Sequence, residues 1–139
     1  MPSVSDLLRT AGVLCLATAI LPAHALDCHV RTSPMSPGDI AMSHANYASA
    51  EALNGGESNS GPDADRTHAA LIRAQLRQSK IADAEKDAVA WSTAQPDNSW
   101  ALVALAELRW RQARTDDAIQ TLDSVRSNDY CNPQAHADL

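Results

Sequence analysis

The sequence predicts an all-α fold of stacked helix–turn–helix units, and two observations support this prediction. From Ala64 onward, apolar residues recur at steps of three and four, the spacing that places them on one face of a helix. The segments RQSKIADA (77–84) and RQARTDDA (111–118) also share Arg, Gln, a basic residue, Asp and Ala at matching places, with a constant offset of 34 in sequence number. Two short helices cannot bury an apolar face alone, whereas stacked copies form a continuous core. We therefore expect 34-residue repeats stacked as a short right-handed solenoid.

Residues 1–25 have the pattern of a secretory signal peptide. An apolar run from Ala11 to Leu21 is followed by Pro22, and Ala23 and Ala25 then form the A-x-A arrangement that signal peptidase recognises. A membrane anchor is the alternative, but the run has 11 residues, whereas a membrane-spanning helix needs about 20. We expect cleavage after Ala25, export to the periplasm or secretion, and no membrane contact afterwards.

Two weaker segments follow the signal. Residues 26–38 are polar, contain proline and show no period, so we expect an extended leader there. Residues 39–62 are rich in alanine, and we expect a helix from Asp39 to about Leu53 before a loop rich in glycine. Ala50 in this segment lies one repeat length before Ala84. Residues 39–62 are therefore interpreted as a degenerate first repeat.

Two complete units are expected at residues 63–98 and 99–132. Ser79 and Lys80 interrupt the helical pattern of the first unit, and Pro96 ends its second helix because proline cannot continue the hydrogen-bond ladder. Asn98 or Ser99 is expected to cap the next helix, and Thr115 the one after it. Trp91 closes the apolar stripe of a second helix, so we assign it to the core.

Residues 133–139 are expected to open a further unit and to stop within its first helix. Asn132 suits the cap of such a helix and Pro133 suits its first turn. Stopping there would leave the preceding apolar stripe at Ile119, Leu122 and Val125 half covered. We therefore expect a truncated product, a fragment, or one half of an obligate contact.

This repeat resembles the tetratricopeptide repeat, whose pattern is W-x2-L-G-x2-Y, then A-x3-F, then P. The residues that carry the resemblance are Leu102, Leu105, Ala106, Ala118 and Leu122 in one copy, and His68, Leu71, Ile72, Ala84, Ala88 and Pro96 in the other. Three kinds of departure occur: Gln75 and Arg109 replace Tyr, Ile72 replaces the small residue, and Tyr130 replaces the closing Pro. A plain helical bundle is the alternative, but it does not explain the fixed register.

The resemblance implies a non-catalytic module that binds a protein or peptide on the concave face formed by the first helix of each unit. The implied groove positions are Arg66, Ala69, Arg73, Leu76 and Arg77 in one unit, and Trp100, Val103, Glu107, Trp110 and Arg111 in the next. The four arginines on this face favour an acidic partner, because guanidinium groups bind carboxylates. The alternative is that Leu76 and Trp110 belong to the core and that the arginines form a solvated rim.

Charge and motifs exclude several other functions. The net charge of −6 argues against nucleic acid and against anionic membranes, both of which require clustered cations. No two histidines of the exported part lie four residues apart, and no nucleophile motif is present, so we expect no metal site, no cofactor and no enzymatic activity. Two alternatives remain open: the helical N-terminal part of a longer exported enzyme, such as a hydrolase, and a self-associating scaffold.

Two cysteines remain after signal cleavage, Cys28 and Cys131. Export would place them in a compartment where disulfides persist. They could pair with each other, remain as two thiols, or bind a partner outside this chain, and the spacing does not decide between these.

The signal prediction is tested by the mass of the exported protein. When the chain is expressed in a bacterium with a signal peptidase, the exported form should begin at Leu26. A chain that keeps Met1 and stays in the cytosolic fraction would contradict the prediction.

Overall fold

The computed structural model describes Cys28, residues 34–57, Gly61 and residues 63–137, and every regular element in these residues is a helix. The all-α fold class is therefore confirmed. The predicted signal peptide at 1–25, most of the leader and Leu139 lie outside the described residues. None of the described helices is long and apolar enough to cross a membrane.

Among the described residues, the first six helices form three pairs, each joined by a short turn, and a seventh helix follows them. They are α1 Pro37–Ser43, α2 Tyr47–Glu57, α3 Ala64–Arg77, α4 Ile81–Ala94, α5 Ser99–Arg111, α6 Thr115–Asn128 and α7 Pro133–Ala137.

The first helical pair differs from the prediction of one helix over 39–53. The segment contains α1 and α2, separated by a turn in which Ala45 adopts a left-handed φ of 55°. The first of these helices begins at Pro37, inside the predicted leader, because Ser36 and Asp39 form a capping box with both hydrogen bonds at 3.1 Å. The second continues through Gly55 and Gly56 to Glu57, where a loop was predicted. Packing of α2 against α3 thus outweighs the low helix propensity of glycine.

One turn geometry recurs three times along the chain. Ala45, Ser79 and Ala113, each 34 positions from the next, have left-handed φ values of 55°, 61° and 60°. In each turn the next residue donates its N–H to a carbonyl five positions earlier, at 2.9 Å, 3.0 Å and 2.9 Å in chain order. These bonds satisfy carbonyl groups that a helix end leaves without partners. The two segments RQSKIADA and RQARTDDA contain the second and third of these turns.

The predicted N-terminal cap is confirmed at α5 and is wrong at α6. The side-chain oxygen of Asn98 accepts hydrogen bonds from the backbone N–H groups of Trp100, at 3.0 Å, and Ala101, at 3.1 Å. The prediction that Thr115 caps α6 is wrong, because Thr115 is already the first helical residue. Arg114 takes the cap position without a side-chain cap bond, and its guanidinium instead bonds Asp117, with Nε 2.7 Å from Oδ2.

Three apolar clusters among the described residues connect the helices. The first joins α3, α4 and α5 through Ala69, Ile72, Leu76, Ala84, Ala88, Trp91, Ala101, Ala104 and Leu108. The second joins α5, α6 and α7 through Val103, Ala106, Leu122, Val125 and Ala135. The third of them joins α1, α2 and α3 through Ala41, Ala50 and Ala74. Trp91 is 7% exposed, which confirms its assignment to the core. Of the stripe expected to be half covered, Leu122 and Val125 are buried, and only Ile119 is exposed, at 38%.

Cys28 and Cys131 form a disulfide with their Cα atoms 5.2 Å apart. The bond joins the segment before α1 to the turn between α6 and α7, and it spans 103 residues of sequence. It therefore ties both ends of the helical array together and restricts the unfolded chain over most of its length.

Removing this disulfide should lower the stability of the protein clearly. A loop of about 100 residues corresponds to ~4.7 kcal/mol of unfolding free energy in the chain-entropy model, which is an upper value. We expect the Cys28→Ser/Cys131→Ser variant to unfold at lower denaturant concentration, and the oxidised wild type to lose the same stability when reduced. Identical midpoints for the oxidised and reduced wild type would contradict the prediction, and the double variant controls for effects of the reductant itself.

Candidate peptide-binding cleft

A cleft of about 220 Å³ lies between α3, α5 and α6. It combines an apolar floor with charged walls. The residues that line it are Arg73, Leu76, Arg77, Ala106, Glu107, Trp110, Arg111, Ala118, Ile119 and Leu122.

Five of the eight residues put forward as binding candidates line this cleft. They are Arg73, Arg77, Glu107, Trp110 and Arg111, and Leu76, an implied groove position, forms part of the floor beside them. The cleft therefore brings together most of the candidate residues.

The other three candidates lie elsewhere. Val103 is fully buried in the second apolar cluster, so its placement on an open groove is wrong. Trp100 packs against the first cluster, and Arg66 bonds Asp39 of α1 at 2.8 Å. Ala69, another implied groove position, is also buried, because α5 covers that face of α3. The cleft is consequently narrower than the predicted groove.

A fork of hydrogen bonds joins the α3 and α5 walls of the cleft. The Nε of Arg73 lies 2.8 Å from Oε1 and 3.1 Å from Oε2 of Glu107, and its Nη2 also contacts Oε1. The two side chains are only 22% and 14% exposed. Because both charges are largely withdrawn from water, breaking this pair would cost stability. The pair therefore acts first as a structural link between α3 and α5.

The open side of the cleft is basic and aromatic. Arg77 and Arg111 are exposed, and Nη2 of Arg111 donates to the backbone carbonyl of Leu76 at 3.2 Å. Both arginines lie in the last turn of their helices, where a cation also stabilises the negative end of the helix dipole. Trp110 is 57% exposed, whereas Leu76 is 3% exposed. Of the two residues that the alternative interpretation placed in the core, only Leu76 lies there.

The apolar wall on α6 was missing from the predicted groove. Ala118, Ile119 and Leu122 line the cleft from this helix, although the groove positions implied by the resemblance all lie on first helices. Ile119 belongs to the apolar stripe of α6 and remains exposed when its neighbours are buried. The sequence signal for this wall was the apolar stripe of α6, which was expected to be half covered.

His68 lies outside the cleft and stacks on the core tryptophan. Its ring centroid is 4.2 Å from that of Trp91, and the two planes differ by 15°. Burial lowers the pKa of His68 below its ordinary value of 6.5, because the charged form loses water, and the nearby carboxylates of Asp87 and Asp65 oppose this shift. The neutral imidazole is therefore the form that the fold favours.

Within the described residues, no group of three or more His, Cys, Asp or Glu side chains is arranged to hold a metal ion. No known protein family, curated protein or solved structure matches this chain.

The stacked histidine should make stability depend on pH. In the unfolded chain His68 takes up a proton near pH 6.5, whereas the folded protein resists this proton. The stabilising contribution is therefore complete above that pH, and it is lost as the pH falls from there through the lower pKa of the folded state. We expect the denaturation midpoint of the wild type to decrease over this fall in pH.

A His68→Phe variant provides the matched comparison, because phenylalanine keeps an aromatic ring against Trp91 and cannot take up a proton. Its midpoint should change less over the same fall in pH. Equal pH dependence of the two proteins would show that His68 does not couple to folding.

Proposed function

We propose that this protein is an exported, non-catalytic interaction module of the tetratricopeptide-repeat type, which binds an acidic segment of a partner protein in the cleft between α3, α5 and α6. The proposal includes signal cleavage near Ala25. It requires no cofactor.

Equivalent contacts between successive units support the repeat assignment. The side-chain amide of Asn98 donates to Asp65 at 2.9 Å, and that of Asn132 donates to Ser99 at 3.1 Å. The two donor residues lie one repeat length apart in sequence, and so do the two acceptor residues. Arg73 and Glu107 are also separated by one repeat length, and they meet across neighbouring helices. Parallel placement of α3 and α5 in a repeat stack would produce such contacts.

The combination of residues at the cleft supports the binding role. The observation that carries it is Trp110, a large aromatic side chain that remains 57% exposed beside the buried Leu76 and Leu122. Aromatic side chains with apolar surroundings and neighbouring arginines are typical of residues that dominate protein interfaces.

Charge favours an acidic partner over a basic one. The whole chain carries a net charge of −6, yet the exposed cations Arg77 and Arg111 flank the apolar floor of the cleft. Guanidinium groups form forked hydrogen bonds with carboxylates, and their attraction across an open rim is reduced by salt. A segment with one apolar anchor and adjacent carboxylates would match this surface.

The proposal is tested with fluorescein-labelled peptides that carry an apolar residue flanked by Asp and Glu. Binding is measured by fluorescence anisotropy at low and at physiological salt. We expect the Arg77→Ala/Arg111→Ala variant to bind about tenfold more weakly, since each exposed charge contributes on the order of 0.5–1 kcal/mol. The variant should also show a weaker dependence of affinity on salt.

The matched control is Lys86→Ala/Arg114→Ala, which removes two exposed cations outside the cleft. It should bind like the wild type. If both double variants keep their helical circular dichroism and bind equally well, the cleft arginines do not select the ligand and the proposal is wrong.

A further inference from the structure

α5 packs over the preceding pair of helices, α3 and α4. This contact shows how another helix could occupy the cleft. Ala101, Ala104 and Leu108 of α5 are at most 1% exposed, and they pack in one cluster with residues of α3 and α4. The surface that receives them includes Ile72 and Leu76 on α3 and Ala84 and Ala88 on α4.

The same surface recurs one repeat length later, on α5 and α6. Ala106 and Trp110 stand where Ile72 and Leu76 stand in the preceding unit, and Ala118 and Leu122 stand where Ala84 and Ala88 stand; all four of these later residues line the cleft. In the earlier unit, the corresponding four residues belong to the cluster that also contains Leu108.

One end of the later surface is already covered. Ala135 of α7, the counterpart of Ala101, is fully buried against Val103, Ala106, Leu122 and Val125. Leu108 lies seven positions, about two helical turns, beyond Ala101 on α5, so the part of the later surface that corresponds to the Leu108 contact lies about two turns beyond Ala135. At this place the surface opens into the cleft of about 220 Å³. The cleft thus continues an existing helix-covered interface.

We propose that the cleft binds one face of an amphipathic α-helix from a partner protein, with a leucine-like side chain packed between the exposed Trp110 and Ile119, above the buried floor at Ala118 and Leu122. Carboxylates of that helix contact Arg77 and Arg111 on the open side. This inference rests on the proposed binding function and adds the conformation and the anchor of the bound segment.

Small side chains and continuity with α7 favour a helix over an extended strand. Ala106 and Ala118 keep the floor low, so that a helix can approach α5 and α6 closely, as α5 approaches Ala84 and Ala88. A second copy of this chain is a poorer occupant, because the matching face of its own α5 is buried in its core. A separate acidic helix meets both the apolar and the charged requirements of the site.

Three labelled peptides of equal charge test the proposal. The first is an Ala/Glu 16-mer with two leucines four positions apart, the second has both leucines replaced by alanine, and the third has two central alanines replaced by proline. We expect the first peptide to bind and to gain helical circular dichroism. The second should bind at least tenfold more weakly because it lacks the anchor, and the third because proline breaks the helix.

Two protein variants locate the binding site. Ile119→Glu places a like charge against the acidic helix at the cleft wall and should weaken binding of the first peptide about tenfold or more. Val89→Glu is the matched control, because Val89 is a similarly exposed apolar residue, at 44% against 38%, outside the cleft. It should bind like the wild type, and equal binding by the two variants would overturn the proposed site.

The outcomes separate this inference from the broader binding function. If the proline peptide binds as tightly as the helical one and still depends on Arg77 and Arg111, the bound segment is extended, so the helix proposal fails and the acidic-segment function stands. If none of the acidic peptides binds, both fail. If light scattering shows a dimer that Ile119→Glu dissociates while no peptide binds, the occupant is a second copy and the partner-helix proposal is overturned.

Discussion

The fold depends on the burial of small apolar faces between successive helical pairs. Neither α3–α4 nor α5–α6 encloses a core by itself, and α5 supplies the missing cover for the first of these pairs. Most of the residues in the shared cluster are alanines, which lets the helix axes come close and multiplies backbone-to-backbone contact at low side-chain entropy cost. The few large side chains in this core, such as Leu108 at 1% exposure, therefore matter individually, because a buried leucine contributes about 2–5 kcal/mol.

The apolar periodicity, together with residues that end or cap helices, predicted the later helices well. α4 and α5 begin and end close to the expected places, because Pro96 and Asn98 define the break between them through local chemistry. The break between α1 and α2 has no proline, and the predicted single helix overlooked the cap at Asn46, whose side-chain oxygen accepts a hydrogen bond from the backbone N–H of Ser49 at 3.3 Å. The left-handed position of this break is Ala45, which sequence alone does not mark, since glycine is the usual residue there.

Helical periodicity and the spacing of 34 positions also made part of the cleft predictable from the sequence. Residues on the first helices could be placed from the repeat register, but their exposure depends on what covers each helix. Val103 was expected on an open face and is buried, because α6 and α7 close over it. The apolar stripe of α6 was expected to be half covered. Of its three residues, only Ile119 stays exposed, whereas Leu122 and Val125 are buried. Burial is a property of the assembled helices, and the periodicity of one helix indicates only which residues share a face.

The two equivalent surfaces differ by substitutions that turn a sealed interface into an open cleft. Ile72 and Leu76 fill the earlier surface beneath α5, whereas Ala106 and Trp110 occupy the same places in the later one. Ala106 is buried in the cluster that contains Ala135, whereas Trp110 stays exposed at the side of the cleft. Arg73 is already engaged by Glu107, so Arg77 and Arg111 supply the charge of the open rim. The open cleft thus combines an exposed aromatic side chain with two cations, the features that the proposed acidic helix would require.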